Sequence, residues 1–385
     1  MITSSDRIRF VKEYYFSRKL QEIAKIQNPI VINLGIGNPD LPPSETTINE
    51  LIEASVDRKN HGYQLYKGIP ELRKTFSEWY NNSYNVILNP EEEILPLLGS
   101  KEGIVHTSLA FLNDGDEVLV PNPGYLAYTN ATRLAGGVPI PYKLNDVSNW
   151  YPDFNILEKT NLEKVKLMWV NYPHMPTGVM GSVTLFQSLI KFGRNHNILI
   201  CHDNPYSFIL NEKPQSIFNA DPEIQYSIEL NSLSKSHNMA GWRVGMVAGK
   251  SEYIQTILQV KSNMDSGMFL PLQKAAVKAL ESPPEWQDSL NHKYIERRKY
   301  IWEILDTLGC EYGKDQVGLF VWAKIPDNFK NGEEYSDWLL KIYHIFVAPG
   351  FIFGTEGNKY IRISICVEKA LIKEVMERIQ QASSL

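Results

Sequence analysis

The chain has 385 residues, of which 43% are hydrophobic and 22% charged, and its formal net charge is −5. This composition is ordinary for a soluble globular protein, and the acidic balance offers no basic field for nucleic acid or an anionic membrane. No apolar run approaches the roughly 20 residues that span a bilayer, and the N-terminus lacks a signal-peptide pattern. The three cysteines lie far apart in apolar segments, which predicts reduced thiols in a cytoplasmic enzyme rather than a disulfide framework or a zinc site.

A chain of this length favours two domains or one enlarged α/β domain. Residues 7–26 have apolar side chains at roughly helical spacing, so we predict a helix there. This helix is a candidate to cover the opening of a cavity. Residues 35–43 contain glycines and prolines that forbid regular structure and let the backbone approach a ligand closely. A dinucleotide-binding interpretation of Gly35 and Gly37 fails, because no third glycine follows and Pro39 interrupts the helix that should come next.

Two further helices are predicted before the main alternating region, at residues 45–56 and 72–80. An aromatic loop between them carries Tyr63 and Tyr66. Tyrosines in such loops more often pack against the protein than bind a ligand.

Strand-like and helix-like segments alternate from residue 94 onward, which predicts parallel strands joined by crossover helices. A pair of prolines, Pro283 and Pro284, marks a plausible domain boundary. The predicted strands are 94–98, 116–120, 165–170, 198–203, 227–230, 244–248, 318–323 and 360–364, and the predicted helices are 104–112, 125–134, 185–196, 252–264, 286–308, 333–343 and 367–382.

Ligands of open α/β sheets bind beyond the carboxyl ends of the strands, so the residues that follow each apolar run are candidate site residues. Hydroxyls at a helix N-terminus suit a phosphate, an aromatic ring stacks on a flat ligand, an acid pairs with a protonated ring nitrogen, and a lysine forms an imine. The segments are 99–101 with Ser100 and Lys101, 123–125 with Tyr125, 171–178, 203–206 with Asp203 and Tyr206, and 232–235 with Ser232, Ser234 and Lys235.

Lys235 follows a probable buried strand and enters a turn, a placement that suits a nucleophile. Burial, or a neighbouring cation such as Arg243, would lower its pKa and make the amine reactive toward a carbonyl group. Arg243 could instead converge on a phosphate with the hydroxyls of Ser232 and Ser234. A solvated lysine in a serine-rich turn is the alternative, and the other strand ends favour the functional interpretation.

Arg362 lies within a strand of alternating hydrophobic and polar residues. Charged residues of such strands usually face water, so a solvated side chain is the first interpretation. A charge that faced inward would need a partner.

This set of residues, in this order, resembles the fold-type I aminotransferases that use pyridoxal 5′-phosphate (PLP), especially the branch of aspartate, alanine and diaminopimelate aminotransferases. The resemblance extends from Gly35 to Ser364. It implies an α/β fold with a large domain built on a mostly parallel seven-stranded sheet and a smaller α+β domain. The implied division is an N-terminal segment joining the small domain at 1–44, a PLP-binding domain at 45–282 and the small domain at 283–385.

The resemblance also implies ping-pong transamination between an L-amino acid and a 2-oxo acid, in a homodimer. Lys235 matches the lysine that binds PLP covalently and transfers the proton, and Arg362 matches the arginine that grips the substrate carboxylate, which reverses the first interpretation. The remaining matches are Ser100, Lys101, Ser232, Ser234 and Arg243 for the cofactor phosphate, Tyr125 for stacking on the ring, Asp203 for the ring nitrogen, Tyr206 for the phenolic oxygen, Gly37 for close approach to the substrate, and Tyr63 for the neighbouring subunit's phosphate.

Met175 departs from the pattern. The family usually has an asparagine before the Pro-Thr-Gly of this loop, which donates to the phenolic oxygen of the cofactor, and a methionine cannot donate. A lost donor favours the protonated imine, so we predict a higher imine pKa than in relatives with asparagine. His174, directly before Met175, is a candidate for compensation.

Two alternative functions remain open from sequence. A β-lyase, a cyclopropane-forming synthase or a related eliminating enzyme uses the same fold and cofactor. A catalytically silent PLP-binding regulatory protein is the alternative from another class, although such a protein would be expected to lose Lys235 or Asp203.

The substrate is also open. A dicarboxylate needs a second cation, and residues 265–269 contain no arginine. Arg133, Lys67 or a residue of a partner chain are the candidates for that cation. Candidate contacts for the substrate side chain are Tyr15, Tyr66, Ser266 and Phe269.

Overall fold

The computed structural model describes residues 2–9, 15–26 and 30–383. The helix predicted over 7–26 is represented there by two helices, and residues 10–14, including Tyr14, lie outside the described part. The helices are α1 Asp6–Arg9, α2 Tyr15–Ile23, α3 Glu45–Val56, α4 Pro70–Tyr84, α5 Ser100–Phe111, α6 Leu126–Leu134, α7 Phe154–Leu157, α8 Val183–His196, α9 Leu233–Ser236, α10 Ser251–Lys261, α11 Leu270–Leu280, α12 Pro284–Thr307, α13 Gly332–Tyr343 and α14 Lys369–Ser383.

Strands form three sheets, and a seven-stranded sheet is the largest among the described residues. Short 3₁₀ helices at Arg58–His61, Ile217–Asn219, Gly350–Phe353 and Thr355–Gly357 join other elements. The strands are β1 Ile32–Asn33, β2 Ile94–Leu97, β3 Glu117–Asn122, β4 Val138–Lys143, β5 Val165–Val170, β6 Leu199–Asp203, β7 Ser227–Ser232, β8 Gly245–Gly249, β9 Glu311–Tyr312, β10 Phe320–Lys324, β11 Ile345–Phe346, β12 Ala348–Pro349 and β13 Tyr360–Ser364.

The large sheet has the strand order β2-β8-β7-β6-β5-β3-β4. All neighbouring pairs from β7 to β4 are parallel, whereas β8 runs antiparallel to both β2 and β7. The predicted fold, an α/β protein with a mostly parallel seven-stranded sheet, is therefore confirmed. The parallel strands bring their carboxyl ends to one edge, where the candidate residues were expected.

Both faces of this sheet are covered by helices, which explains why its strands are continuous apolar runs. Successive residues of β5 join different apolar clusters. Leu167 and Trp169 cluster with Ile104 of α5, while Met168 clusters with Phe186 of α8.

The sequence-based prediction lacked several of the observed elements, of which strand β4 and helix α11 are the longest. Strand β4 contains Pro139 and Pro141, which lack the backbone donor of an interior strand, and it lies at the edge of the sheet, where proline is tolerated. Helix α11 begins beside Pro271, which occupies the first turn, where its missing N–H has no intrahelical partner to lose.

The N-terminal and C-terminal parts of the chain pair with each other. Strand β1 pairs in parallel with β11, and β12, β13, β10 and β9 form a separate antiparallel sheet. The guanidinium of Arg297 in α12 donates to both carboxylate oxygens of Asp40, at 2.7 and 2.8 Å. The domain boundaries at residues 44 and 282 stay a prediction.

No helix among residues 2–9, 15–26 and 30–383 combines the length and apolar composition needed to cross a membrane.

Candidate active site

A cavity of about 500 Å³ opens where the strands of the large sheet end. Asn171 follows β5, Asp203 ends β6, and Ser232 ends β7, so each polar residue lies at the carboxyl end of its strand, where the cavity opens. Of the residues predicted to bind the cofactor or the substrate carboxylate, all except Tyr63 line this cavity, namely Gly37, Ser100, Lys101, Tyr125, Met175, Asp203, Tyr206, Ser232, Ser234, Lys235, Arg243 and Arg362. Among the candidate contacts for the substrate side chain, Tyr15 lines it, whereas Tyr66, Ser266 and Phe269 do not.

Asp203 is held by only one of its carboxylate oxygens. The hydroxyl of Tyr128 donates to Oδ2 at 2.9 Å, while Oδ1 is buried without a hydrogen-bond partner. Burial raises the pKa of the Asp203 carboxyl to about 6. A buried acceptor left open in this way suits a cationic N–H of a ligand.

Tyr128 was not singled out in the sequence, although it lies three residues after Tyr125 and therefore on the same side of α6. Its ring stacks on Trp169 with centroids 5.1 Å apart, and Tyr125 meets it edge-on at 5.7 Å. These contacts aim the hydroxyl of Tyr128 at Asp203.

Hydroxyls and a guanidinium converge on the other end of the cavity. The hydroxyl of Ser232 donates to that of Ser234 at 2.9 Å, and Nη1 of Arg243 lies 3.4 Å from the same Ser234 oxygen. Gly99 has φ of 85°, and a Cβ atom there would lie 2.3 Å from Nη2 of Arg243. Helix α5 begins at Ser100, so its free backbone N–H groups face this cradle, an arrangement that suits a phosphate.

Lys235 lies in the single-turn helix α9, where a turn had been predicted. Its ammonium donates to the backbone carbonyl of Gly37 at 2.7 Å. Burial lowers the pKa of Lys235 to about 8, and the positive charges of Arg362 and Arg243 act in the same direction. Both influences expected from the sequence, burial and the charge of Arg243, therefore act on Lys235, and its amine lines the cavity rather than an open surface turn.

Tyr125 and Tyr206 present aromatic surfaces to the same cavity. The ammonium of Lys101 lies 5.7 Å from the centre of the Tyr125 ring. Tyr206 meets the ring of Phe320 edge-on at 5.9 Å, and burial raises the pKa of the Tyr206 hydroxyl above its ordinary value.

Arg362 faces inward from β13 and is enclosed by aromatic rings. Its Cζ lies 3.8 Å from the ring centre of Phe320 and 4.7 Å from that of Phe353. Nη2 donates to the carbonyl of Gly35 at 2.8 Å, and Nε has no partner. In the described part of the chain no carboxylate forms an ion pair with Arg362, and burial lowers its pKa to about 10. A buried cation without a counterion suits a ligand carboxylate.

Met175 directs its sulfur at this arginine. The Sδ atom accepts a hydrogen bond from Nη1 of Arg362 at 3.3 Å. The side chain of Asn171 accepts from the backbone N–H of Met175 at 2.8 Å and donates to the carbonyl of Asp203 at 2.6 Å. Asn171 lines the cavity as part of the predicted segment 171–178, although no individual role was predicted for it.

His174 does not take the place of the missing donor. Its Nδ1 lies 2.8 Å from the hydroxyl of Thr177, it is buried, and it does not line the cavity. Burial lowers the pKa of His174 to about 3, so the ring is neutral at physiological pH.

Tyr63 lies apart from the cavity. Its side chain is 94% exposed, in a separate groove formed by residues 61–64 and 266–269. A single chain therefore does not bring Tyr63 to the other predicted residues.

Comparison with known proteins places these observations in a family. Residues 29–379 match the model of aminotransferase class I and II. LL-diaminopimelate aminotransferase of Halothermothrix orenii is 37% identical over 98% of both chains, and that of Aquifex aeolicus is 36% identical over 99% of both. The substrate-bound structure of BacF from Bacillus subtilis is 35% identical, with a TM-score of 0.93 over 99% of this chain and 98% of that one. An aromatic aminotransferase from Pyrococcus horikoshii is 28% identical, with a TM-score of 0.87 over 95% and 98%.

The residues around the cavity fit PLP, the cofactor of this family. The open Oδ1 of Asp203 suits the protonated pyridine nitrogen, and the cradle of Ser232, Ser234 and Arg243 suits the phosphate. The amine of Lys235 lines the same cavity and suits the aldehyde.

Replacing Met175 by asparagine should lower the pKa at which the cofactor chromophore changes protonation. The amide supplies a donor to the phenolic oxygen, and one hydrogen bond of about 1 kcal/mol corresponds to roughly one pH unit or slightly less. Spectrophotometric pH titration of the PLP-loaded protein measures this value. Met175→Leu, which keeps the volume without a donor, is the control, and equal values for both variants would refute the effect.

The rate at which cofactor-free protein couples to PLP should rise with pH and level off above about pH 8. Only the neutral amine attacks an aldehyde, and a lowered pKa means that Lys235 is already half neutral near pH 8. Absorbance follows the coupling, and borohydride reduction with peptide mapping verifies that the label is on Lys235. The coupling rate of a solvent-exposed lysine model compound should keep rising to about pH 10.4. If the coupling rate of the protein does the same, this would contradict the lowered pKa of Lys235.

Proposed function

Because the chain belongs to the class I and II aminotransferases, we propose that Lys235 binds PLP covalently and, once released, moves the proton that amino-group transfer requires. The family establishes a PLP-dependent aminotransferase acting on an amino acid and a 2-oxo acid. When bound, PLP supplies an electron sink for the negative charge that develops at the substrate α-carbon.

The single observation that carries this proposal is the buried amine of Lys235 in the same cavity as an unpaired carboxylate oxygen. An amine with a pKa of about 8 is present in both protonation states near neutral pH, so it can accept and return a proton. Its position on a short helix directly after β7 keeps the amine near the reacting carbon after it is displaced. A ping-pong sequence follows from this one group acting in both half-reactions.

Asp203 is proposed to pair with the pyridine nitrogen and keep it protonated. It is the one carboxyl group among the described residues that line the cavity. Tyr128 holds Oδ2 and leaves Oδ1 for the ligand, which makes Tyr128 a positioning residue.

The other cofactor contacts are proposed from the same geometry. Tyr125 stacks on the ring, and Tyr206 donates toward its phenolic oxygen. The phosphate is held by Ser100, Lys101, Ser232, Ser234 and Arg243, which all line one cavity.

Arg362 is proposed to bind the substrate α-carboxylate. Support comes from its burial without a carboxylate partner in the described structure and from the weak thioether acceptor at Nη1, which a carboxylate oxygen outcompetes. Gly37 places backbone rather than a side chain beside this site, because a Cβ atom there would lie 2.1 Å from the ring of Phe320. Met175 contacts Nη1 of Arg362 and lines the same cavity.

A homodimer is proposed in which Tyr63 reaches the cofactor phosphate of the neighbouring subunit. The exposure of Tyr63, 94%, is unusual for a tyrosine and supports a contact outside its own chain. We also propose the domain division at residues 44 and 282, and a cytoplasmic location in keeping with the buried free thiols of Cys201, Cys310 and Cys366.

The decisive experiment is a half-reaction of the PLP-loaded protein with single amino donors. Transamination converts the cofactor to its amine form and releases a 2-oxo acid, whereas a β-lyase releases ammonia and leaves the cofactor spectrum unchanged, and a silent protein does neither. Donors should include LL-diaminopimelate, which the names of curated relatives specify. Lys235→Ala should slow conversion by at least about 1000-fold, while Lys299→Ala, an exposed residue of α12, should match wild type.

The dimer is tested with a heterodimer of Lys235→Ala and Tyr63→Phe chains. Such a heterodimer has one covalent cofactor site, because only the Tyr63→Phe chain retains Lys235. If Tyr63 acts across the interface, that site receives the native tyrosine and binds PLP as tightly as wild type. The Tyr63→Phe homodimer should bind about 10-fold more weakly, since it loses a hydrogen bond to a charged group. Weak binding by the heterodimer, or a monomer in sedimentation, would contradict the arrangement.

A further inference from the structure

We propose that the amino-acid substrate carries a bulky uncharged side chain, apolar or aromatic, and that the cavity has no subsite for a second substrate carboxylate. The proposal rests on the proposed roles of Arg362 and Lys235 and deepens them by naming the substrate class. It is carried by the distribution of charge and apolar surface within the cavity.

Each charged side chain that lines the cavity already has a proposed role in binding the cofactor or the substrate α-carboxylate. Asp203, Lys235 and the phosphate cradle serve the cofactor, and Arg362 serves the α-carboxylate. The ionisable acids and bases that line the cavity, tyrosines aside, are Lys101, Asp203, Lys235, Arg243 and Arg362, so the described lining has no further cation for a distal carboxylate.

A group of apolar and mostly aromatic side chains lines the same cavity. It comes from four separate parts of the chain, which are α2, the start of α6, strand β10 and the 3₁₀ helix after β12. These residues, which we call the aromatic wall, are Tyr15, Phe16, Leu126, Phe320, Ile352 and Phe353. A carboxylate placed among them would lose its hydration without gaining a cationic partner, whereas an apolar side chain would gain from leaving water.

These rings lie directly beside the carboxylate grip. Phe320 and Phe353 contact the guanidinium of Arg362, and Phe16 lies 5.9 Å from its Cζ. A substrate held at Arg362 with its α-carbon near Lys235 therefore directs its side chain toward this aromatic wall. The hydroxyl of Tyr15 is buried without a hydrogen-bond partner, so one neutral polar group is available at the wall.

The cations considered from sequence do not reach this wall. Lys67 lies 3.4 Å from the backbone carbonyl of Glu91, and neither Lys67 nor Arg133 lines the cavity. The groove that holds Tyr63, the residue that the proposed dimer would bring to the partner's site, is formed by residues 61–64 and 266–269, which contain no lysine or arginine. The cavity lining from the chain itself and the groove residues that the proposed dimer would add therefore both favour an uncharged substrate side chain.

Ligand binding that does not depend on turnover tests the proposal. The PLP-loaded protein is titrated with 3-phenylpropionate, glutarate and pimelate, and the change in cofactor absorbance gives each dissociation constant. We expect 3-phenylpropionate to bind at least about 10-fold more tightly than either dicarboxylate, a difference of about 1.4 kcal/mol. Equal or tighter binding of glutarate or pimelate would overturn the proposal.

The wall itself is tested by Phe16→Ala, with propionate as the internal reference. Propionate occupies the carboxylate grip but does not extend to the wall. We expect 3-phenylpropionate affinity to fall about 10-fold while propionate affinity stays within about twofold. An equal loss for both ligands would mean that Phe16 only supports Arg362, and it would overturn this wall as the specificity element.

Donor half-reactions separate this proposal from the assignment of the enzyme. L-phenylalanine should convert the cofactor faster than L-glutamate and the other dicarboxylic donors of the screen. Conversion by dicarboxylic donors alone would overturn the substrate class and leave the aminotransferase roles intact. Conversion by no donor, combined with selective binding of 3-phenylpropionate, would overturn the catalytic roles and leave the shape and charge of the pocket as argued.

Discussion

The organising constraint of this molecule is a group of charged side chains buried around one cavity without counterions of their own. Within residues 2–9, 15–26 and 30–383, Arg362 is enclosed by aromatic rings, the Lys235 amine donates to the Gly37 carbonyl, and one carboxylate oxygen of Asp203 has no hydrogen-bond partner. Burying such groups in protein is costly unless a partner compensates. A cofactor with a phosphate and a ring nitrogen, and a substrate with a carboxylate, supply those partners, so the site is organised for ligands rather than for its own stability.

Neighbouring residues of β6 show how the scaffold differs from the site. His202, on one side of the strand, lies with Nδ1 2.7 Å from Glu229, and the same carboxylate accepts from the hydroxyl of Tyr80 at 2.8 Å and from the backbone of Ile217 at 3.0 Å. Asp203 is the next residue and faces the cavity with an unpaired oxygen. A fully satisfied buried network rigidifies the strand, and that rigidity holds Asp203 in position for a ligand.

The cavity is assembled from both halves of the chain. Strand β1 pairs with β11, and Asp40 binds Arg297, so the glycine-rich segment around Gly37 is held between the large sheet and the antiparallel sheet that carries Arg362. The carbonyl groups of Gly35 and Gly37 then accept from Arg362 and Lys235, respectively. The same backbone segment therefore positions both the carboxylate grip and the reactive amine.

The sequence by itself determined the type of fold and the chemical composition of the site. Parallel strands bring their carboxyl ends together, so the short polar segments after each apolar run could be collected before any contact was known, and each of these segments contributes residues to one cavity. Tyr63, which follows no such run, lies apart from it. The family resemblance added the expected role of each residue. Strand β4 was missed because its prolines contradict strand propensity, and only its edge position makes them acceptable.

Only the tertiary structure decided which side chains meet. The contact of Met175 with Arg362 joins residues 187 positions apart, and the bond of Tyr128 to Asp203 joins residues 75 apart, and no local pattern encodes either distance. His174 was a candidate for the site, yet its ring is turned toward Thr177, because a loop residue's direction depends on backbone geometry rather than on its chemistry. Local periodicity specifies helices and strands, whereas side-chain direction and pairing follow from how those elements pack. The apolar, aromatic lining beside Arg362 is a result of that packing.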